Sequence, residues 1–223
     1  MAVCQYCNKE FRKEITLQSH VCVKGQRWKQ QHHYGVRLGF NAWLRFFELN
    51  VKDDKKRTYG EFVESPYYSA FVKFGNFMES IRCLNPTSFT EWILNSTIKL
   101  DYWCKDSNYD KWLQEYTKKE TANTAIERFI ITAEKWAEEN NSILNDYFRY
   151  GNSNKICHDI ASGKVSSWAI YNCVSGQEFL NELNEDQIQY IFNFIDPDTW
   201  KRKFSLCIPD VDWSKEILNA AGF

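Results

Sequence analysis

The sequence has no apolar run approaching the roughly 18 residues that a membrane-crossing helix needs, and Cys4 and Cys7 stand where a secretory leader would carry its apolar core. Neither a membrane span nor secretion is expected, and the chain is read as cytoplasmic. Its glycines never take the G-x4-G-K-[ST] form that cradles nucleotide phosphates, which excludes a Walker-type motor. No Asn-Gly or Asp-Gly pair marks a hairpin, and no internal repeat stands out. Histidine is scarce: His32-His33 and His158-Asp159 have no nucleophile or paired acidic cluster beside them, so no enzyme chemistry is expected. Asp101, Asp106 and Asp110 have the spacing of helix ends. Cys83, Cys104, Cys157, Cys173 and Cys207 stand singly and are expected as reduced, mostly buried thiols.

What is present describes a globular, aromatic-rich chain, with 43% apolar, 26% charged and 17% aromatic residues, nine of them Trp. Helix punctuation is dense. Thr58 with Glu61, Ser107 with Asp110 and Asn184 with Gln187 have capping-box spacing, and Ser65-Pro66, Asn85-Pro86 and Asp196-Pro197 put proline directly after a cap residue. An all-α body is predicted, with helices near 36–49, 66–83, 87–100, 108–118, 121–140, 143–149, 153–162, 166–174, 185–194, 197–205 and 212–220. Val165 to Val174 is a short apolar run that reads equally as strand or buried helix. The longest periodic segment, Thr121 to Asn140, is expected to form a spine.

The first 22 residues carry the clearest motif. Cys4, Cys7, Phe11, Leu17 and His20 fit C-x2-C-x3-F-x5-L-x2-H, the frame of a zinc finger. A two-residue gap lets one turn aim two thiolates at one point, while Phe11 and Leu17 supply a minimal core. So short a unit folds on its metal, which contributes roughly 10–16 kcal/mol in finger peptides. Cys22 is the favoured fourth ligand, against His32 and His33. It lies about 200° from His20 on an ideal helix, so the helix must unwind after His20 for both to reach one ion.

Charge is divided. Residues 1–57 hold 12 Lys and Arg against 5 Asp and Glu, and the remainder 16 against 24. A basic front beside a finger suits a polyanion. The candidate DNA contacts are Arg12, Lys13, Lys24, Arg27, Trp28, Lys29, Arg37, Lys52, Lys55, Lys56 and Arg57. Trp28 could stack on a base between cations, or pack on the finger or the next helix. The expected domains are a finger at 1–24, a helical DNA-binding subdomain at 25–104 and a helical partner-binding subdomain at 105–223.

Past the finger, the order of features resembles the helicase-loading proteins of T-even-type phages. The likeness rests on the amphipathic segment Val36 to Leu49, the basic loop Lys52 to Arg57, Ser65-Pro66-Tyr67-Tyr68 and the aromatic segment Phe71 to Leu84. It continues through Trp103 with Asp106, Leu113 with Tyr116, Phe148-Arg149-Tyr150-Gly151-Asn152, Ser153 to Ser162, Val165-Ser166 and Phe179-Leu180, and closes with Trp200 and Ile217-Leu218. It covers roughly residues 34–220 and is one of order and hydrophobic pattern. It implies a two-subdomain all-α replication factor in the bacterial host cytoplasm, without enzymatic activity. Such a factor recognises forked or single-stranded DNA and engages the replicative helicase and the single-strand-binding protein. Its first subdomain would resemble a high-mobility-group box, which grips DNA by shape and backbone. The finger departs from the family's pattern and takes no role from it.

A second class is a zinc-finger regulator or host-takeover protein that binds duplex DNA or RNA polymerase. Lys13, Thr16 and Ser19 would be its groove-facing positions, but one finger covers only about three base pairs.

Overall fold

The computed structural model describes residues 1–51 and 55–223. The protein is all-α apart from two short strands, and it divides into two compact units, Met1–Tyr109 and Asp110–Phe223. No helix among the described residues is long and apolar enough to cross a membrane.

The first unit opens with a small antiparallel pair, β1 (Ala2–Val3) and β2 (Glu10–Phe11), with Ala2 opposite Phe11. Two short helices follow, α1 (Glu14–Gln18) and α2 (Val23–Lys29), and then the long α3 (Tyr34–Asn50). The unit continues with α4 (Tyr59–Glu64), α5 (Tyr68–Ser80) and α6 (Pro86–Leu94). Its centre is α3 packed on α5, made close by glycine: a Cβ on Gly75 would lie 1.9 Å from the Gly35 carbonyl oxygen and 2.4 Å from the Gly39 nitrogen. Around this contact Trp43, Phe62, Tyr68, Phe71, Phe74, Phe89 and Trp103 are buried ring against ring, with Trp43 and Phe62 5.3 Å apart and Phe74 and Trp103 5.1 Å apart. The Trp43 indole N–H, which burial would otherwise orphan, donates to Ser65 Oγ at 3.2 Å.

The second unit receives most of α7 (Asp106–Lys119) and is built on the predicted spine, α8 (Ala122–Asn140), whose Ala125, Ile126, Phe129, Ala133 and Trp136 are buried. Around it lie α9 (Tyr147–Tyr150), α10 (Ser153–Ala161), α11 (Ser167–Ile170), α12 (Val174–Glu182), α13 (Glu185–Ile195), α14 (Pro197–Leu206) and α15 (Ile208–Ala220). Most buried polar groups are paired, the Trp168 indole N–H and Asn145 Oδ1 being exceptions. Asp159 accepts from the Tyr147 hydroxyl at 3.0 Å and from Lys164 at 2.8 Å. Lys203 Nζ donates to the Lys118 and Glu120 carbonyls at 2.7 and 3.2 Å, at the C-terminal end of α7, and stands 4.9 Å from the rings of both Trp168 and Trp200. Burial pushes the Lys203 ammonium below its ordinary range.

The capping boxes at Thr58–Glu61 and Asn184–Gln187 form, and Asn85 and Asp196 cap α6 and α14 ahead of their prolines. Several expected helices are corrected. Ser107 and Asp110 lie inside α7 instead of capping it. The 87–100 segment is helical only to Leu94, because Asn95 bonds back to the Glu91 carbonyl and the chain turns. The 166–174 segment is a short helix ending at Ile170, and α12 starts afresh beyond Cys173. The last helix begins at Ile208, with Pro209 in its first turn.

Because the Gly75 position faces backbone, which cannot rotate away, Gly75→Ala should destabilise the first unit by about 3 kcal/mol, the upper end of typical overpacking costs. A thermal melt should then show the first transition lowered by more than ~10 °C. An unchanged midpoint would show that α3 and α5 are not in backbone contact.

Candidate metal centre

Four potential ligand atoms converge at the front of the first unit. The Cys4, Cys7 and Cys22 thiols and the His20 imidazole all lie within 4.8 Å of one another, and no second group of three such residues is found among the described residues. Cys7 Sγ and His20 Nε2 are 3.4 Å apart. A tetrahedral zinc sphere with bonds of about 2.0–2.3 Å has ligand-to-ligand edges of about 3.3–3.8 Å, so the cluster has the right scale to close on one ion.

Each ligand is placed by local backbone chemistry. Cys4 and Cys7 flank a tight turn in which Cys4 N–H bonds the Lys9 carbonyl at 3.0 Å and Asn8 N–H bonds the Cys4 carbonyl at 2.8 Å. Asn8 takes a left-handed φ of 57°, which asparagine tolerates better than most residues. The backbone N–H of Tyr6, and after it that of Cys7, hold the Cys4 thiol down to about 7 from an ordinary 9.0, favouring the thiolate a metal requires. At Cys7 the Lys9 N–H pulls the same way, but desolvation and the neighbouring Cys4 and Cys22 thiols together push that thiol up. Three such sulfurs side by side call for a cation.

The problem of reaching one ion from both His20 and Cys22 is solved by ending α1 early. It stops at Gln18, His20 N–H closes a tighter turn on the Leu17 carbonyl at 3.0 Å, and Phe11 packs on the imidazole with ring centres 4.9 Å apart. Cys22 then caps α2, its sulfur accepting the Gly25 N–H at 3.3 Å. His32 and His33 are exposed and lie outside the cluster. Tyr6 and Gly25 are the residues that spacing alone did not single out. A Cβ at Gly25 would come within 2.8 Å of the Tyr6 ring, so glycine lets the cysteine turn rest on α2. The only trace of this in the sequence is the three-residue step from Cys22 to Gly25, which is cap spacing.

The remaining candidates separate into two groups. Arg27 donates to the Val63 carbonyl at 2.6 Å and lies 4.3 Å over the Tyr68 ring, while its own carbonyl accepts from the Tyr59 hydroxyl at 2.8 Å. Trp28 is half-buried, edge-on to Tyr59 at 5.3 Å. Lys24 pairs with Glu64 at 2.6 Å, Lys55 pairs with Glu61, and Arg57 covers the Phe47 ring at 4.3 Å. These side chains bind the front of the unit to its own helices. By contrast, Arg12, Lys13, Lys29, Arg37 and Lys56 are exposed, and Lys52 lies outside the described residues. Beyond the front, Cys157 and Cys173 are buried, whereas Cys83, Cys104 and Cys207 are half-buried; burial pushes the Cys83 thiol up to about 12.

No protein-family model, curated protein or solved structure matches the chain.

The geometry predicts that one equivalent of Co2+ will give the intense thiolate-to-metal absorption of a tetrahedral sulfur-rich site. Cys7→Ser should weaken that absorption and loosen metal binding, while Cys104→Ser leaves both unchanged. Far-UV circular dichroism of Cys7→Ser should keep most of its helical signal, since the second unit has its own core. A spectrum of octahedral, sulfur-free cobalt would rule the site out.

Proposed function

We propose that the chain is a non-enzymatic replication factor that loads a replicative helicase onto forked or single-stranded DNA, with one Zn2+ holding its front together. The observation that carries this reading is the division of charge between the two units. Met1–Tyr109 holds 16 Lys and Arg against 11 Asp and Glu, and Asp110–Phe223 holds 12 against 18. A loader must hold a polyanion with one surface and a protein with another, and two compact units of opposite charge suit that division. The resemblance in feature order supplies the choice of helicase and single-strand-binding protein as partners.

Three thiolates and one imidazole form a soft donor set that favours zinc over magnesium or calcium. Four protein ligands leave no open position for substrate, so the ion's contribution is structural. We place the DNA contacts on Arg12, Lys13, Lys29, Arg37 and Lys56, exposed cations of the basic front that, among the described residues, make no bond to the unit's own helices. Arg27 and Trp28 act by keeping α2 docked.

A second reading, a finger-bearing regulator that grips RNA polymerase or another protein, draws on a different observation. The metal-binding stretch exposes Ile15, Val21 and Val23 at 71, 71 and 59%, an apolar surface better suited to protein than to phosphate.

Two measurements test the proposal. Replacing both Lys29 and Arg37 with Ala should lower the slope of log affinity against log salt by about 1.4–1.8, at about 0.7–0.9 per phosphate. Arg27→Ala should instead lower the melting temperature, and an unchanged slope in the double variant would remove those two cations from the interface. On forks coated with single-strand-binding protein, the full chain should accelerate unwinding by its cognate helicase without hydrolysing ATP. If it gives no stimulation and captures no replication protein, the loader reading fails and the regulator reading replaces it.

A further inference from the structure

The second unit carries an open apolar groove that its own core covers only in part: Leu183 and Ile188 pack against that core from one side, and Phe192 stands clear of it. Leu183 and one face of α13, comprising Glu185, Ile188, Gln189, Phe192 and Asn193, line it. The adjoining stripe of α13 turns Ile191 and Ile195 fully into the core, and Gln187 ties the helix to Asn154 of α10 at 2.8 Å. The helix therefore has its anchorage without Phe192, whose ring remains 48% exposed.

The chain that forms α12 and α13 has one sign of charge, while the neighbouring α10 brings His158 and Lys155, the latter paired with Glu139 at 3.3 Å. Between Lys164 and Lys201 there is no Lys, Arg or His, but there are six Asp and Glu residues. Of these, Glu178, Glu182, Glu185 and Asp186 are exposed, and none makes an ion pair among the described residues. Such a rim repels nucleic acid and anionic lipid and attracts Lys and Arg. The apolar positions Ile188 and Phe192 are one helical turn apart, the spacing at which a groove receives successive anchors from a second amphipathic helix.

We infer that this face of α13 docks a basic amphipathic helix of a partner protein, its apolar stripe on Ile188 and Phe192 and its Lys and Arg side chains against the carboxylate rim. The inference gives a chemistry to the protein-binding role proposed for the second unit and rests on that role only for the partner's identity. A peptide probe tests the surface itself, so its failure is distinct from failure of the unwinding assay.

The probe is a fluorescent Leu/Lys amphipathic helix, with a Leu/Glu peptide of the same apolar face as control, each titrated into the full chain. The Leu/Lys peptide should bind at least about tenfold more tightly than the Leu/Glu peptide, a difference of about 1.4 kcal/mol. Phe192→Gln, Glu182→Gln and Gln189→Lys, all at exposed positions, should each weaken binding about three- to tenfold with unchanged circular dichroism. Glu138→Gln on exposed α8 surface should leave it unchanged. Equal binding of the two peptides, or full binding by the Phe192→Gln and Gln189→Lys variants, would overturn the inference. Sedimentation showing a dimer that Phe192→Gln dissociates would also overturn it, by making a second copy of the chain the occupant.

Discussion

Gly75 has no side chain because the backbone of another helix occupies the space, with the Gly35 oxygen 1.9 Å from where its Cβ would stand. Contact at this range locks the relative position of α3 and α5, and much of the first unit follows from it. Tyr68, at the start of α5, supplies the ring under Arg27, and α4 just before it supplies the Val63 carbonyl that Arg27 bonds. Arg27 and Trp28 fix α2, and α2 begins at Cys22, one of the four potential metal ligands. The chain thus passes from its metal-ligating turn into the helical body without a linker. A strain in the helix pair would reach the ligand cluster through α2, and loss of the cluster would release the same helix from its other end.

This coupling changes the meaning of the basic front. Eleven candidate contacts share one sign or one ring chemistry in the sequence, but Lys24, Arg27, Lys55 and Arg57 are held by Glu64, Val63, Glu61 and Phe47. Their charge still contributes to the field around the unit, while their positions are set by packing. The exposed set is smaller, and it is the set through which phosphates would be met.

The parts legible in the sequence are those where one residue type does one job. Three ligands and their spacing came from a turn that must present two sulfurs, and α8 from apolar residues repeating along one face. Asparagine caps announced α6 and α13, whereas no helix was expected behind the Thr58–Glu61 box, where α4 stands. Two helices, α2 and α12, gave no such notice because their cap atoms are sulfur: Cys22 accepts from Gly25 N–H and Cys173 from Gly176 N–H, each at 3.3 Å. A thiol is a weak acceptor and an uncommon cap, so nothing in ordinary helix punctuation marks those starts. Nor does charge alone distinguish Arg27 from Arg37. One finds a carbonyl and a ring across the fold, the other solvent, and that difference exists only once α4 and α5 are in place.

In the proposed division of work, the first unit meets DNA and the second meets protein. Amide hydrogen exchange on the full chain, with and without a saturating forked DNA, reads this division along the whole sequence. Added protection is expected within Met1–Tyr109, concentrated around Lys29 and Arg37, with none in Asp110–Phe223. Protection centred in the second unit, or no change anywhere, would contradict it.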